Sequence, residues 1–213
     1  MATVLVIGAS KGIGRETVKQ ALKAGHKVRA MARSEVRILG RLDNLETVTG
    51  NALDPEAIER ALQGVDVVIQ TLGVSAGPEM ILKPVRIFSD ATRVLVPAME
   101  ASGVKRLICL TGFGAGDSRN RGGMLYNTAF HLFLGRAYDD KDRQEQIIQD
   151  SALDWVIARP GILTNMRHTG TYRVLPDPED WRSGCISRAN VADFLVKQID
   201  DDTYLGQTPV LIE

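Results

Sequence analysis

Val4-Leu5-Val6-Ile7-Gly8-Ala9-Ser10-Lys11-Gly12-Ile13-Gly14-Arg15 joins a short apolar run to a glycine-punctuated turn and then to a stretch of helical period. Strand, turn and helix follow one another without a gap. In such a turn Gly8 permits the tight departure from the strand, Gly12 lets the backbone approach a pyrophosphate, and Gly14 lets the helix pack on the sheet. Ala9, Ser10, Lys11 and Ile13 complete the turn. A phosphate would rest on the first N–H groups of the helix, favoured by the helix dipole. The spacing is GxxxGxG and not GxGxxG, and a glycine turn by itself also serves as a tight βα connection that binds nothing. No Gly-Lys-Ser/Thr triplet closes it, so it is not a P-loop.

Outward from this segment, runs rich in Val, Ile and Leu alternate with stretches of helical period. That alternation predicts an α/β fold, a Rossmann-type doubly wound, mainly parallel sheet with helices on both faces. Strands are expected at 4–7, 27–32, 46–49, 65–71, 106–111 and 155–158, with a last one near 209–212. Helices are expected at about 12–24, 55–62, 85–102, 132–150 and 189–200. Gly25, Gly64 and Gly103 punctuate helix ends, Asp54 and Ser187 supply N-caps, and Pro55 suits a first helical position. The whole of 1–213 reads as one domain with no repeat and no linker.

Composition narrows the function. The chain has 213 residues, 44% hydrophobic and 24% charged, with 26 basic and 26 acidic side chains. A net charge of zero lacks the electrostatic footprint of direct nucleic-acid binding. No apolar run approaches the roughly 18 residues that span a bilayer, so no membrane partner is expected. The N-terminus runs straight into the first strand without a basic leader. Cys109 and Cys185 form no CxxC and sit in no histidine cluster, and neither an HExxH nor a carboxylate pair suggests a metal. Cytoplasmic residence is the default expectation.

Cofactor choice is read at the end of the second strand, about 20 positions beyond the turn, where NAD sites place an acid on the ribose 2′-hydroxyl. Arg33 stands there instead. Its fork suits a 2′-phosphate, with Lys11 and Arg15 near enough to assist, so NADP(H) is expected in preference to NAD(H). The plain alternative is three solvated charges.

The Gly8 to Gly14 turn, Gly50-Asn51-Ala52-Leu53-Asp54 after the third strand, Gly64-Val65-Asp66-Val67-Val68 leading the fourth and Arg159-Pro160-Gly161 after the sixth together resemble the short-chain dehydrogenase/reductase superfamily. More narrowly they resemble its atypical NAD(P)H-binding branch, with the NmrA-like proteins and the biliverdin/flavin reductase. The resemblance covers essentially the whole chain. It implies that Asn51, Ala52 and Leu53 frame the adenine, Asn51 standing where the branch often has aspartate. It implies further that Thr71, Leu72, Gly73, Thr111 and Gly112 line the cofactor, as do Pro160, Gly161 and Ile162.

The main superfamily uses a serine after the fifth strand and a Tyr-x-x-x-Lys pair on the next helix. Here Thr111 stands near the serine position, and Tyr138 and Lys141 are spaced by three, which still shares a helical face. These three are the candidate catalytic groups, with Lys141 also a ribose contact. The competing reading makes 139–143 an exposed charged run and Thr111 a buried strand residue. Glycine-rich segments at 112–123, with Arg119 and Arg121, and 161–184, with Arg167, His168 and Tyr172, suit a substrate pocket, the arginines meeting an anionic substrate; plain surface loops fit them too. His26 and His131 read as structural, and His168 as the histidine to test for substrate contact. The expected activity is hydride transfer to a small conjugated or carbonyl substrate such as a flavin or quinone. A non-catalytic redox sensor with a protein partner is the first alternative. An epimerase or dehydratase is the second, against which the missing Tyr-x-x-x-Lys argues.

Overall fold

A computed structural model describes residues 1–38, 43–74, 85–119, 121 and 124–213, with side chains left out over 122–134. The expected His131 reading and part of the 112–123 segment lie outside the described residues. Ten strands and five α-helices occur among those described. In chain order they are β1 (Thr3–Ile7), α1 (Gly12–Lys23), β2 (Lys27–Ala32), β3 (Leu45–Thr49), α2 (Pro55–Leu62), β4 (Val67–Gln70), α3 (Ile87–Ser102), β5 (Arg106–Leu110), α4 (Met124–Gln149), β6 (Asp154–Pro160), β7 (Ile162–Thr164), β8 (Arg173–Leu175), β9 (Cys185–Ser187), α5 (Arg188–Lys197) and β10 (Val210–Ile212).

The main sheet runs β3-β2-β1-β4-β5-β6-β10-β8, and β7 pairs with β9 separately. Every pairing is parallel except β8 on β10. The apolar runs are continuous because both faces are covered. Along β1, Val4 and Val6 join the core under α1 and α5, while Leu5 and Ile7 join the core under α2, α3 and α4. The same alternation holds in β4, β5 and β6, as the two-residue period of a strand requires. A third, smaller cluster gathers Phe113, Leu175, Trp181, Val210 and Ile212 beyond the end of β6.

Strand order reverses between β1 and β4, so their carboxyl ends open a crevice of the kind in which doubly wound sheets bind ligands. The expected caps form: Asp54 accepts from the Glu56 amide and Ser187 from that of Asn190. His26 is buried, accepting at Nδ1 from the Ala2 amide, the structural role expected of it. Three strands were not expected, β7, β8 and β9, each only three residues long. Helix α4 begins at Met124, eight residues before the expected start.

Candidate functional site

A cleft of about 630 Å³ lies at the carboxyl ends of β1, β2, β4 and β5. Its floor is the turn into α1. Lys11 is the N-cap of α1 but makes no side-chain cap, and the first turn holds no acidic residue. Asp54 and Ser187 cap α2 and α5, so α1 differs in leaving its first N–H groups for an anion. A Cβ on Gly12, where φ is 59°, would meet nothing within 4 Å, so the backbone there faces open space. A Cβ on Gly14 would strike the Gly8 carbonyl and come within 2.6 Å of Thr71 Oγ1. Gly14 is thus a packing glycine, and with Ala9 it lies behind the turn, not on the cleft wall.

At one end Arg33 and Ser34 leave β2, and Asn51 and Ala52 follow β3. Arg33 is exposed and has no carboxylate partner among the described residues. Asn51 Oδ1 accepts from the Leu53 amide at 3.2 Å, which leaves the NH2 half of the side chain for a base edge. Leu53 itself is exposed and off the cleft, because that bond turns the chain outward. Ser10, Lys11 and Ile13 line the floor, and Thr71, Leu72 and Gly73 the wall beyond β4. Arg15 faces a separate groove between α1 and α5, away from Arg33.

The other end is built by α4. Tyr138 and Lys141 both line the cleft, so spacing by three does bring them together. Lys141 is buried, donates from Nζ to the Thr111 carbonyl at 2.7 Å and stands 4.5 Å above the Phe88 ring centre. Burial pulls its ammonium down to about 8, against the opposing pull of Glu145 and Asp140. Tyr138 is half-buried, and a Cβ on Gly112 would strike its hydroxyl, so Gly112 seats the phenol and does not line the cleft. Thr111 is not a free donor: its hydroxyl donates to Glu145 Oε1 at 2.6 Å.

Beneath Thr111 lies an ion pair absent from the sequence reading. Fully buried Arg159 reaches the two oxygens of Glu145 from Nε at 3.1 Å and Nη2 at 2.5 Å, and Asp117 from Nη1 at 2.5 Å. Asp140, also fully buried, accepts from the Phe88 and Ser89 amides and from the Ser89 hydroxyl, capping α3. The alternative reading of 139–143 as an exposed charged run fails at its centre, where Asp140 and Lys141 are buried. Arg119 is held by Asp139 and Asp142 and does not offer itself to a substrate.

Pro160, Gly161 and Ile162 stand off the cleft. The Gly161 amide donates to the Leu211 carbonyl, binding this segment to β10, and Ile162 is half exposed. Leu163 and Arg188 reach the cleft in their place. Arg188 Nη1 donates to the Leu163 and Thr164 carbonyls and to Asn165 Oδ1. The only sequence sign of it was its place after the Ser187 cap. His168 pairs with Asp193 Oδ1 at 3.2 Å in the α1–α5 groove, outside the cleft. Cys109 is buried, its thiol pushed up to about 12 by burial. Among the described residues no three His, Cys, Asp or Glu side chains converge as a metal site requires, and no helix is long and apolar enough to cross a membrane.

A relative from Bacillus subtilis, described as an uncharacterized sugar epimerase, is 30% identical, covering 97% of this chain and 96% of its own. A Streptomyces griseus (4-alkanoyl-5-oxo-2,5-dihydrofuran-3-yl)methyl phosphate reductase is 29% identical over 96% of this chain and 65% of its own. The solved structure of an anaerobillin reductase from Escherichia coli O157:H7 superposes with a TM-score of 0.78 at 26% identity, covering 99% of this chain and 97% of that one. With residues 8–202 matching the family described as NAD(P)H-binding, and the glycine turn into α1 at the head of that match, the chain belongs to this family of NAD(P)H-binding, oxidoreductase-like proteins.

Proposed function

We propose that the chain is an NADP(H)-dependent reductase that passes a hydride to a small conjugated or carbonyl acceptor such as a flavin or quinone. One observation carries the reading: the uncapped N-terminus of α1 with its open Gly12, the Arg33 rim and the Lys141–Tyr138 pair all border one cleft. The donor set fits the dinucleotide. The N–H groups of Gly12 and Ile13 at the start of α1 suit a pyrophosphate, the Arg33 guanidinium suits a 2′-phosphate, and the Asn51 amide suits a base edge. The nicotinamide, when bound, supplies the hydride. Lys141 holds a proton at Nζ below about pH 8, and its charge would steady a reduced, anionic acceptor or a ribose hydroxyl. Phe88 and Leu163 exclude water with apolar surface. The reductase activities named for the Streptomyces and Escherichia relatives support the same class.

The sugar epimerase description of the Bacillus relative favours a second reading, in which the nucleotide stays bound through a cycle. The test is NADPH consumption, followed by absorbance, against a panel of flavins and quinones. Turnover with release of NADP+ is expected. NADPH binding without consumption would replace this reading with a sensor that signals to a protein partner. Nucleotide retained through purification, with no net consumption, would replace it with the epimerase.

A further inference from the structure

Thr111 follows β5 directly and lines the cleft, and every hydrogen it could donate is already placed. Its amide donates to the Ala158 carbonyl at 2.9 Å and its hydroxyl to Glu145 Oε1 at 2.6 Å, while its own carbonyl takes Lys141 Nζ. The direction of the hydroxyl bond follows from chemistry. Glu145 is 1% exposed and receives two N–H groups of a fully buried guanidinium, which requires a carboxylate, and a carboxylate only accepts. Turning the hydroxyl hydrogen toward a ligand carbonyl would exchange a charge-assisted bond for a neutral one about half as strong. What Thr111 retains is acceptor capacity on its hydroxyl oxygen.

We propose that the Glu145–Arg159 pair makes Thr111 a dedicated hydrogen-bond acceptor, so that the cleft selects a ligand group bearing an N–H at this point and leaves donation to Lys141. This rests on the reductase reading and names what its site recognises. Two sources carry the chemistry: the amide of the nicotinamide, or a ring N–H of the acceptor. Glu145 is then a positioning residue, acting through Thr111, and Arg159 fixes its orientation through two hydrogen bonds.

The experiment compares Thr111→Val, which removes the hydroxyl at nearly constant shape, with Thr111→Ser, which keeps it. Each is titrated calorimetrically with NADP+ and with its acetylpyridine analogue, whose methyl replaces the amide NH2. Each is also assayed with riboflavin and with riboflavin methylated at its ring N–H. The parent is expected to prefer the N–H-bearing member of one pair by roughly threefold to tenfold, the range of one neutral hydrogen bond. Thr111→Val should lose that preference and Thr111→Ser should keep it. Preference in the dinucleotide pair assigns the amide, and in the flavin pair the substrate. Glu145→Gln should lose the preference although the hydroxyl remains; if it fails to fold, Thr111→Val decides. No preference in either pair in the parent, or a preference that survives in Thr111→Val, overturns the proposal. Failure of the parent to bind either dinucleotide would instead defeat the reading of the cleft itself.

Discussion

Arg33 leaves β2 exposed and without a carboxylate beside it among the described residues, so its charge is available to a ligand phosphate. A charge-assisted hydrogen bond at such a rim, reduced by solvent, corresponds to roughly tenfold in affinity. Arg33→Ala should therefore weaken NADPH binding about tenfold and leave NADH within about twofold, the loss shrinking as salt rises. Calorimetry at low and high salt checks this, and equal parent affinities for the two nucleotides would remove the preference. Lys141 carries a different signature. Its folded pKa of about 8 lies below the ordinary 10.5, so between those values the unfolded chain binds the extra proton and stability rises with pH. Activity that needs the ammonium should fall as pH rises through about 8. Lys141→Met should abolish both the slope of unfolding free energy across that window and the alkaline limb of the rate profile. Denaturant midpoints and initial rates from pH 7 to 10 decide; a slope that survives the substitution belongs to another group.

Among the elements, α4 is the common fixture of the site. Asp140 caps α3, Lys141 holds the end of β5, Asp142 accepts from the Gly116 amide at 2.7 Å, and Gln144 reaches Gln70 of β4. Asp140→Ala leaves the Phe88 and Ser89 donors buried without a partner, so it should cost about 2 kcal/mol in chemical denaturation and loosen NADPH binding through Phe88. A cost below about 0.5 kcal/mol would show that water replaces the cap. None of this was legible in sequence, because the partners of Asp140, Asp142 and Glu145 lie on other elements and only the mixed charges of 139–143 show locally. The glycine turn between β1 and α1 and the caps of α2 and α5 were legible for the opposite reason: each obeys a rule confined to a few neighbouring residues. The three-residue strands β7 to β9 fall below the length at which alternation can be recognised. Arg159-Pro160-Gly161 stood out as a motif, yet its role was misplaced. Arg159 belongs to the interior, the Pro160 carbonyl accepts from the Phe113 amide, and the Gly161 amide binds the turn to β10.

On the scale of the molecule, one cleft draws on elements from both faces of the sheet, so filling it ties the two large cores together. NADPH at about a hundred times its dissociation constant should raise the unfolding free energy by roughly 2.7 kcal/mol, and NADH at the same concentration by less. Thermal melts at several ligand concentrations measure this; a melt insensitive to both nucleotides would argue that neither binds the folded chain. The third cluster has an optical consequence. Trp181 is one of two tryptophans, buried there with its Nε1 donating to the Leu175 carbonyl and with the Arg159 guanidinium 5.1 Å from its ring centre. A chain of contacts, Trp181 to Arg159 to Glu145 to Thr111, leads from this indole to the cleft wall, and reduced nicotinamide absorbs where indole emits. A Trp155→Phe variant would leave Trp181 as the sole tryptophan, selectively excited beyond tyrosine absorption as an unlabelled reporter of cofactor arrival.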